Sequence, residues 1–296
     1  MHSGKLFRVE GRTAFVTGAS SGLGVTFAEA LADAGANVVL VARREDRLHD
    51  LANGLKLKGV QALALRCDVS DPKQVEAAID QACQCFGRVD ILVNNAGIVA
   101  EGPAVPEKIP HHAFEATMRV NLFGTWYCCQ SAARRMLADG RGGSIINISS
   151  IAGLAGAPDF PLAYQVSKAA VLNLTRNLAV SWADRGVRVN AIAPGWFLTE
   201  INEQVLAHPD FRKWAESGAA LNRIGEPKEL IGALLFLASD ASTYVTGQTI
   251  AVDGGTSASI GVSRLPDSFK AMIAEQMPDG MAQSIRPDKS EGIAAD

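Results

Sequence analysis

The chain has 296 residues, 48% apolar and 20% charged, the balance of a globular protein with room for one large α/β domain. Its formal charge of −3 gives no electrostatic reason to bind nucleic acid or anionic lipid. No apolar run approaches a membrane span, and the opening MHSGKLFRVEGR lacks the apolar stretch of a secretory signal. The cysteines are Cys67, Cys83, Cys85, Cys128 and Cys129, an odd set with one adjacent pair that does not resemble a disulfide framework. Cys83 and Cys85 have no second pair or nearby His to complete a metal site. The expectation is a metal-free, cytoplasmic protein.

In chain order, strand-like runs fall at 13–17, 37–42, 62–66, 89–93, 144–148, 187–192 and 249–252. Helical periods lie between them. One begins after Gly24, with Phe27, Leu31 and Ala34 on one face; others follow Pro72, span about 112–137 and 164–183, and follow Pro227. Most strands are continuous apolar runs such as AFV, VVLV and ILV, the pattern of parallel strands covered on both faces. Strict β-α alternation predicts an α/β fold: a single-domain, Rossmann-type, doubly wound parallel sheet of about seven strands with helices on both faces. The domain is expected over 1–260. Residues 261–296 read as an appended tail, partly helical or disordered, with three prolines and no strand-like run.

The first strand runs directly into Thr17-Gly18-Ala19-Ser20-Ser21-Gly22-Leu23-Gly24, and a helical period follows at once. Such a turn lets backbone N–H groups approach a pyrophosphate, and the helix N-terminus adds partial positive charge. At the end of the second strand, where an Asp or Glu usually binds the adenosine ribose, stand Ala42, Arg43 and Arg44. A missing carboxylate with two guanidinium groups suits a 2′-phosphate, so NADP(H) is favoured and NAD(H) is the second cofactor. Glu45 remains an alternative ribose ligand. Both arginines are expected in the first turn of the next helix, opposed to its dipole.

Tyr164 and Lys168 stand at i and i+4 on one helix face. A phenol of pKa near 10 is about 0.1% ionised at pH 7, and an ammonium about 4 Å away supplies roughly the 4 kcal/mol needed to activate it. The fifth strand ends in Ser149-Ser150, and alternation along a strand lets only one of the two hydroxyls face a substrate.

With these residues assembled, the chain resembles the short-chain dehydrogenase/reductase family over about residues 8–257. The matching elements are TGASSGLG at 17–24, Asp68, Asn94-Asn95-Ala96-Gly97, Asn121, Ser150, Tyr164-x-x-x-Lys168, Pro194-Gly195 with Thr199, and Asp253-Gly254-Gly255. The resemblance implies that Tyr164 is the general acid/base, that Lys168 lowers its pKa and binds the nicotinamide ribose, and that Ser150 binds the substrate oxygen. Asn121 would hold a water linking Lys168 to solvent. The implied cofactor contacts are Gly18, Ser20, Ser21, Gly22, Leu23, Gly24, Arg43, Arg44, Asp68, Val69, Asn95, Ala96, Gly97, Tyr164, Lys168, Pro194, Gly195, Phe197 and Thr199, with Asn94 by the adenosine ribose. It also implies a homo-oligomer, a tetramer or dimer.

The expected reaction interconverts a small-molecule carbonyl and a secondary alcohol by hydride transfer. Substrate identity is assigned to 196–223, 151–160 and 99–106, where Trp196, Phe197, Leu198, Leu154 and Phe160 point to an apolar wall. The alternatives are a 3-oxoacyl-thioester reductase, for which no basic docking cluster is visible, and a non-catalytic cofactor-binding partner protein.

Overall fold

This computed structural model describes residues 3–102, 105–158, 160–200 and 202–259; the expected tail, 261–296, lies outside the described residues. Seven strands make one parallel sheet: β1 (Thr13–Thr17), β2 (Asn37–Ala42), β3 (Ala62–Arg66), β4 (Ile91–Asn94), β5 (Gly143–Ile148), β6 (Val187–Pro194) and β7 (Thr249–Val252). The spatial order is β3-β2-β1-β4-β5-β6-β7. The order reverses between β1 and β4, which pair from Ala14 against Ile91 to Val16 against Val93. At such a switch point the connections leave in opposite directions, and a crevice opens beyond the strands' carboxyl ends.

The described helices are α1 (Leu23–Asp33), α2 (Glu45–Leu57), α3 (Pro72–Phe86), α4 (His111–Met118), α5 (Thr125–Ala138), α6 (Leu162–Trp182), α7 (Glu203–Leu206), α8 (Pro209–Gly218) and α9 (Ile231–Ala238). Side chains alternate along each strand, so the sheet has two cores. Ala14, Val16, Val38 and Leu40 pack with Phe27 and Leu31 of α1, Leu48 of α2 and Leu234 of α9. Phe15, Val39 and Val41 face the other way, against Ile79 of α3, Met136 of α5 and Leu178 of α6. Burial on both faces is why the strands read as continuous apolar runs.

Beyond shifted limits at β4, β5 and β6, three details differ from the sequence reading. The helix expected over about 112–137 is two helices joined by a π-helical turn, Arg119–Gly124. There Gly124 packs so closely on Val69 that a Cβ would lie 2.8 Å from Val69 Cγ2. Arg43 and Arg44 do not occupy the first turn of α2: Arg44 is its N-cap, with extended backbone, and Glu45 and Asp46 supply the first-turn charge that the helix dipole favours. The segment after β6, to which substrate identity is assigned and for which the sequence reading places no helix, contains α7 and α8.

Candidate active site

The crevice at the switch point is a cleft of about 480 Å³, within the range of small-molecule sites. Its floor is the turn from β1 to α1. Gly18 and Gly22 have φ of +67° and +55°, the left-handed region that side chains other than glycine resist. Gly22 is the N-cap of α1 and no side chain caps the helix; the Val25 N–H turns back to the Gly22 carbonyl at 3.2 Å, and the helix start at Gly22 and Leu23 borders the cleft. Gly18, Ser20, Ser21, Gly22 and Leu23 all line the cleft. Gly24 does not. It is buried behind the turn, where a Cβ would stand 2.2 Å from the Gly18 carbonyl oxygen, so it serves close helix–turn packing rather than ligand contact.

The end of β4 is stapled to this turn. Thr17 Oγ1 accepts from the N–H groups of Asn95 (3.0 Å) and Ala96 (3.1 Å), and Asn95 Nδ2 donates to the Thr17 carbonyl at 3.1 Å. Asn95, Ala96 and Gly97 then line the cleft together with Asp68 and Val69. Asn94 points to the opposite side. Its Nδ2 donates to Asn147 Oδ1 at 2.8 Å and it is 3% exposed, which removes it from the ribose position expected of it. Alternation along β4 sends neighbouring side chains to opposite faces, and Asn95 is the one at the cleft.

At the adenosine end, Ala42, Arg43 and Arg44 border the cleft. Among the described residues Arg43 makes no ion pair. Arg44 is engaged: Nε donates to Ser20 Oγ at 3.1 Å, Nη2 to Ser21 Oγ, and Nη1 to Glu200 Oε2 at 2.9 Å. Arg47 holds the other oxygen of Glu200, and these hydrogen bonds keep the Glu200 carboxyl down at about 2. The residues fit a phosphorylated dinucleotide: a glycine turn, an uncapped helix N-terminus, serine hydroxyls and a guanidinium without a carboxylate partner.

The other end is built by β5, β6 and α6. Ser149 spends its hydroxyl on the Lys168 carbonyl at 2.9 Å, whereas Ser150 accepts from the Ala152 N–H at 3.1 Å and hydrogen-bonds Tyr164. Tyr164 is half-buried and lines the cleft. Burial pushes the phenol above its ordinary value, and the Ser150 hydrogen bond pulls the other way. Lys168 is 5% exposed, and burial brings its ammonium down to about 8. Its Nζ donates to the Ile148 carbonyl at 2.8 Å and lies 5.5 Å from the centre of the Tyr164 ring. Burial of the phenol and of Lys168 thus opposes the lowering of the phenol expected from Lys168. Desolvation of both groups outweighs their interaction at this separation.

Asn121 sits in the π-helical turn, 1% exposed and outside the cleft wall. Its amide, expected to find its partner in a water relay, is taken up by protein. Oδ1 accepts from the Ile98 N–H at 2.8 Å; Nδ2 donates to the Ile98 carbonyl at 3.0 Å and to Ser167 Oγ at 3.1 Å. Ser167 in turn donates to the Tyr164 carbonyl at 2.8 Å, so Asn121 reaches α6 through Ser167.

Pro194, Gly195, Phe197 and Thr199 line the cleft from the β6 side. Asn202 knits this segment: its Oδ1 accepts from the Thr199 N–H at 2.9 Å and its Nδ2 donates to the Phe197 carbonyl at 2.8 Å. Phe197, read as substrate wall, is 4% exposed and packs on Gly225. Trp196 instead gathers a ring cluster, with Phe160 at 5.7 Å, Phe211 at 5.3 Å and Trp214 at 6.0 Å between centres, all in edge-on geometry. Phe160 lies four residues before Tyr164, so the cluster joins the entry to α6 to the segment after β6. Leu154 and Leu198 are exposed.

Sequence reasoning missed two carboxylates. Glu101, 4% exposed, accepts from Thr117 Oγ1 at 2.5 Å and from the Tyr164 N–H at 2.8 Å, and so caps the first turn of α6 from the loop after β4. Glu200 is the other. Neither has a local signal, because their partners are distant in the chain.

A family profile described as enoyl-(acyl carrier protein) reductase matches residues 18–257. The L-rhamnose 1-dehydrogenase (NAD(P)+) of Sphingomonas sp. (strain SKA58) is 38% identical over 256 residues, covering 83% of this chain and 96% of that protein. The cis-4-hydroxycyclohexanecarboxylate dehydrogenase of Sinomonas cyclohexanicum is 41% identical over 249 residues, covering 83% and 97%. A gluconate 5-dehydrogenase from Burkholderia cenocepacia J2315, solved in complex with NADP and tartrate, superposes with a TM-score of 0.83 at 39% identity, over 88% of this chain and 100% of that one.

Proposed function

The chain belongs to the short-chain dehydrogenase/reductase family and is an NAD(P)(H)-dependent oxidoreductase of carbonyl and secondary alcohol groups, and from that premise we propose roles for its residues. The observation that carries them is the convergence of Ser150, Tyr164 and Lys168 on one end of the cleft, with the glycine turn at the other. The phenol of Tyr164 passes a proton to the substrate oxygen in reduction and takes one in oxidation. Raised by burial, it is fully protonated at neutral pH, the state that reduction needs. Ser150 hydrogen-bonds the same oxygen and orients it towards Tyr164. Lys168, still mostly cationic at pH 7 with a value of about 8, binds the nicotinamide ribose and stabilises the phenolate as it forms. When bound, the nicotinamide supplies or accepts the hydride, and its oxidised form adds a positive charge beside the phenol. Asn121 is a positioning residue that fixes Tyr164 through Ser167 and holds the loop after β4 through Ile98.

Arg43 receives the 2′-phosphate of NADP(H), with backbone N–H groups of the β1–α1 turn on the pyrophosphate. The ring cluster around Trp196 adjoins the cleft-lining residues Gly195 and Phe197 in the chain, and that adjacency supports a substrate with an apolar, cyclic body. A polyol would need a hydrogen-bond partner for each hydroxyl, whereas the two Phe rings supply none and each Trp only a single indole N–H. Homo-oligomerisation through α5 and α6 is supported by apolar groups left in solvent there: Val166 and Val180 on α6, and Phe123 stacked on Tyr127 at the start of α5. Five unpaired cysteines fit a reducing, cytoplasmic setting.

The test is a substrate panel with both cofactors, followed by nicotinamide absorbance. Cyclic secondary alcohols and ketones are expected to turn over with higher kcat/KM than linear polyols, and with NADP(H) above NAD(H). A preference for polyols would remove the assignment of the ring cluster. Turnover confined to 3-oxoacyl thioesters would favour that alternative, and cofactor binding without any turnover would favour the non-catalytic one.

A further inference from the structure

Two neighbouring guanidinium groups border the adenosine end of the cleft, and among the described residues only one of them has a carboxylate partner. Arg44 stands over the hydroxyls of Ser20 and Ser21, in the turn between β1 and α1, and is held there by Glu200. Glu200 comes from the segment after β6, 156 residues further along the chain, so this pair spans the mouth of the cleft. Its carboxylate is ionised throughout the neutral range and is also held by Arg47. A carboxylate and a phosphate make the same demand on a guanidinium, an oxygen in the plane of its N–H fork. The donors that Glu200 occupies on Arg44 are therefore withheld from a phosphate arriving beside Ala42 and Arg43.

We propose that Glu200 is a specificity-determining residue: it weakens the preference for NADP(H) over NAD(H) by competing with the cofactor's 2′-phosphate for Arg44. This rests on the assignment of Arg43 as the 2′-phosphate ligand, and it adds that Arg44 is a second, conditional one. The side chains of Arg44 and Glu200 are 46% and 44% exposed, which sets the size of the effect. Exposed ion pairs contribute little, so releasing Arg44 is expected to matter by roughly two- to fivefold, well below the contribution of Arg43.

The experiment is calorimetric titration of the full chain, wild type, Glu200→Gln, Arg44→Ala and the double variant. The ligands are NADP+, NAD+, adenosine 2′,5′-bisphosphate and 5′-AMP. Glu200→Gln is expected to lower the Kd of the two 2′-phosphorylated ligands by about two- to fivefold and to leave NAD+ and 5′-AMP unchanged. In the Arg44→Ala background the same substitution is expected to change nothing. Unchanged or weaker binding of NADP+ by Glu200→Gln would overturn the proposal, as would equal tightening of all four ligands. A gain that persists without Arg44 would overturn it too, since general charge repulsion would then account for it. The assignment of Arg43 fails separately, if wild type binds NADP+ no tighter than NAD+. In that case an Arg44-dependent gain for adenosine 2′,5′-bisphosphate still supports the competition, and its absence ends it.

Discussion

The two ends of the cleft are built on opposite principles. At the reaction end, Lys168 is buried and Tyr164 half-buried, and their polar groups are held by Ile148, Ser150, Ser167 and Glu101. At the adenosine end, Arg43, Arg44, Arg47 and Glu200 are solvent-exposed, with Glu200 paired to both Arg44 and Arg47. Burial makes the first end costly to alter, because a buried polar group that loses its partner forfeits its solvation as well. Water screens the second, so its charges tune affinity without deciding whether the protein folds. Chemistry that needs a displaced pKa is placed in the buried end, and choice between similar cofactors in the exposed one.

The contrast is sharpest at Tyr164. Tyr164→Phe is expected to lower kcat by about 10²–10⁴ while cofactor affinity stays within a few-fold, because one positioned proton donor is lost and little else. Single-turnover kinetics beside a cofactor titration would measure both, and near-normal turnover would break the assignment.

Lys168 tests the burial argument itself through pH. Its value falls from 10.5 to about 8 on folding, so between those limits the unfolded chain binds more protons and stability rises with pH. The penalty is fully present below pH 8. Wild type is expected to gain on the order of 3 kcal/mol relative to Lys168→Met between about pH 8 and 10.5, at 1.36 kcal/mol per unit of displacement. Denaturant titrations of both proteins across that window would show it, and parallel pH dependences would mean that Lys168 is better solvated than the structure indicates.

At the exposed end the effects shrink. Arg43→Ala is expected to raise the Kd of NADP+ by about ten- to a hundredfold, the value of one charge-assisted contact, and to leave NAD+ unchanged. An unaltered ratio of the two constants would return Glu45 or backbone groups as the ribose ligands. The smallest effect belongs to Arg47→Ala, which removes one side of the Glu200 pair. Its unfolding free energy is expected to change by less than about 1 kcal/mol, and a larger loss in thermal or denaturant unfolding would show that the exposed end carries more of the fold than its exposure implies.

Much of this molecule was legible in its sequence because the signals are local. A parallel sheet covered on both faces requires apolar strands, and four of the seven strands have the expected limits to the residue. The β1–α1 turn announces itself because few residues other than glycine accept its dihedrals. Tyr164 and Lys168 share a helix face by their spacing alone. What the sequence could not decide are contacts whose members lie far apart in the chain. Asn94 and Asn95 are indistinguishable as letters, and only the orientation of β4 sends one to the core and the other to the cleft. Asn121 looked like a residue awaiting a water until the loop at Ile98 closed on its amide. Glu101 reaches Tyr164 across 63 residues and Glu200 reaches Arg44 across 156. The value of a phenol or an ammonium depends in the same way on what surrounds it in space. Local sequence fixes dihedral and periodic demands residue by residue; burial and long-range pairing exist only after the chain has packed, and they set the charge state of Lys168 and the partner of Arg44.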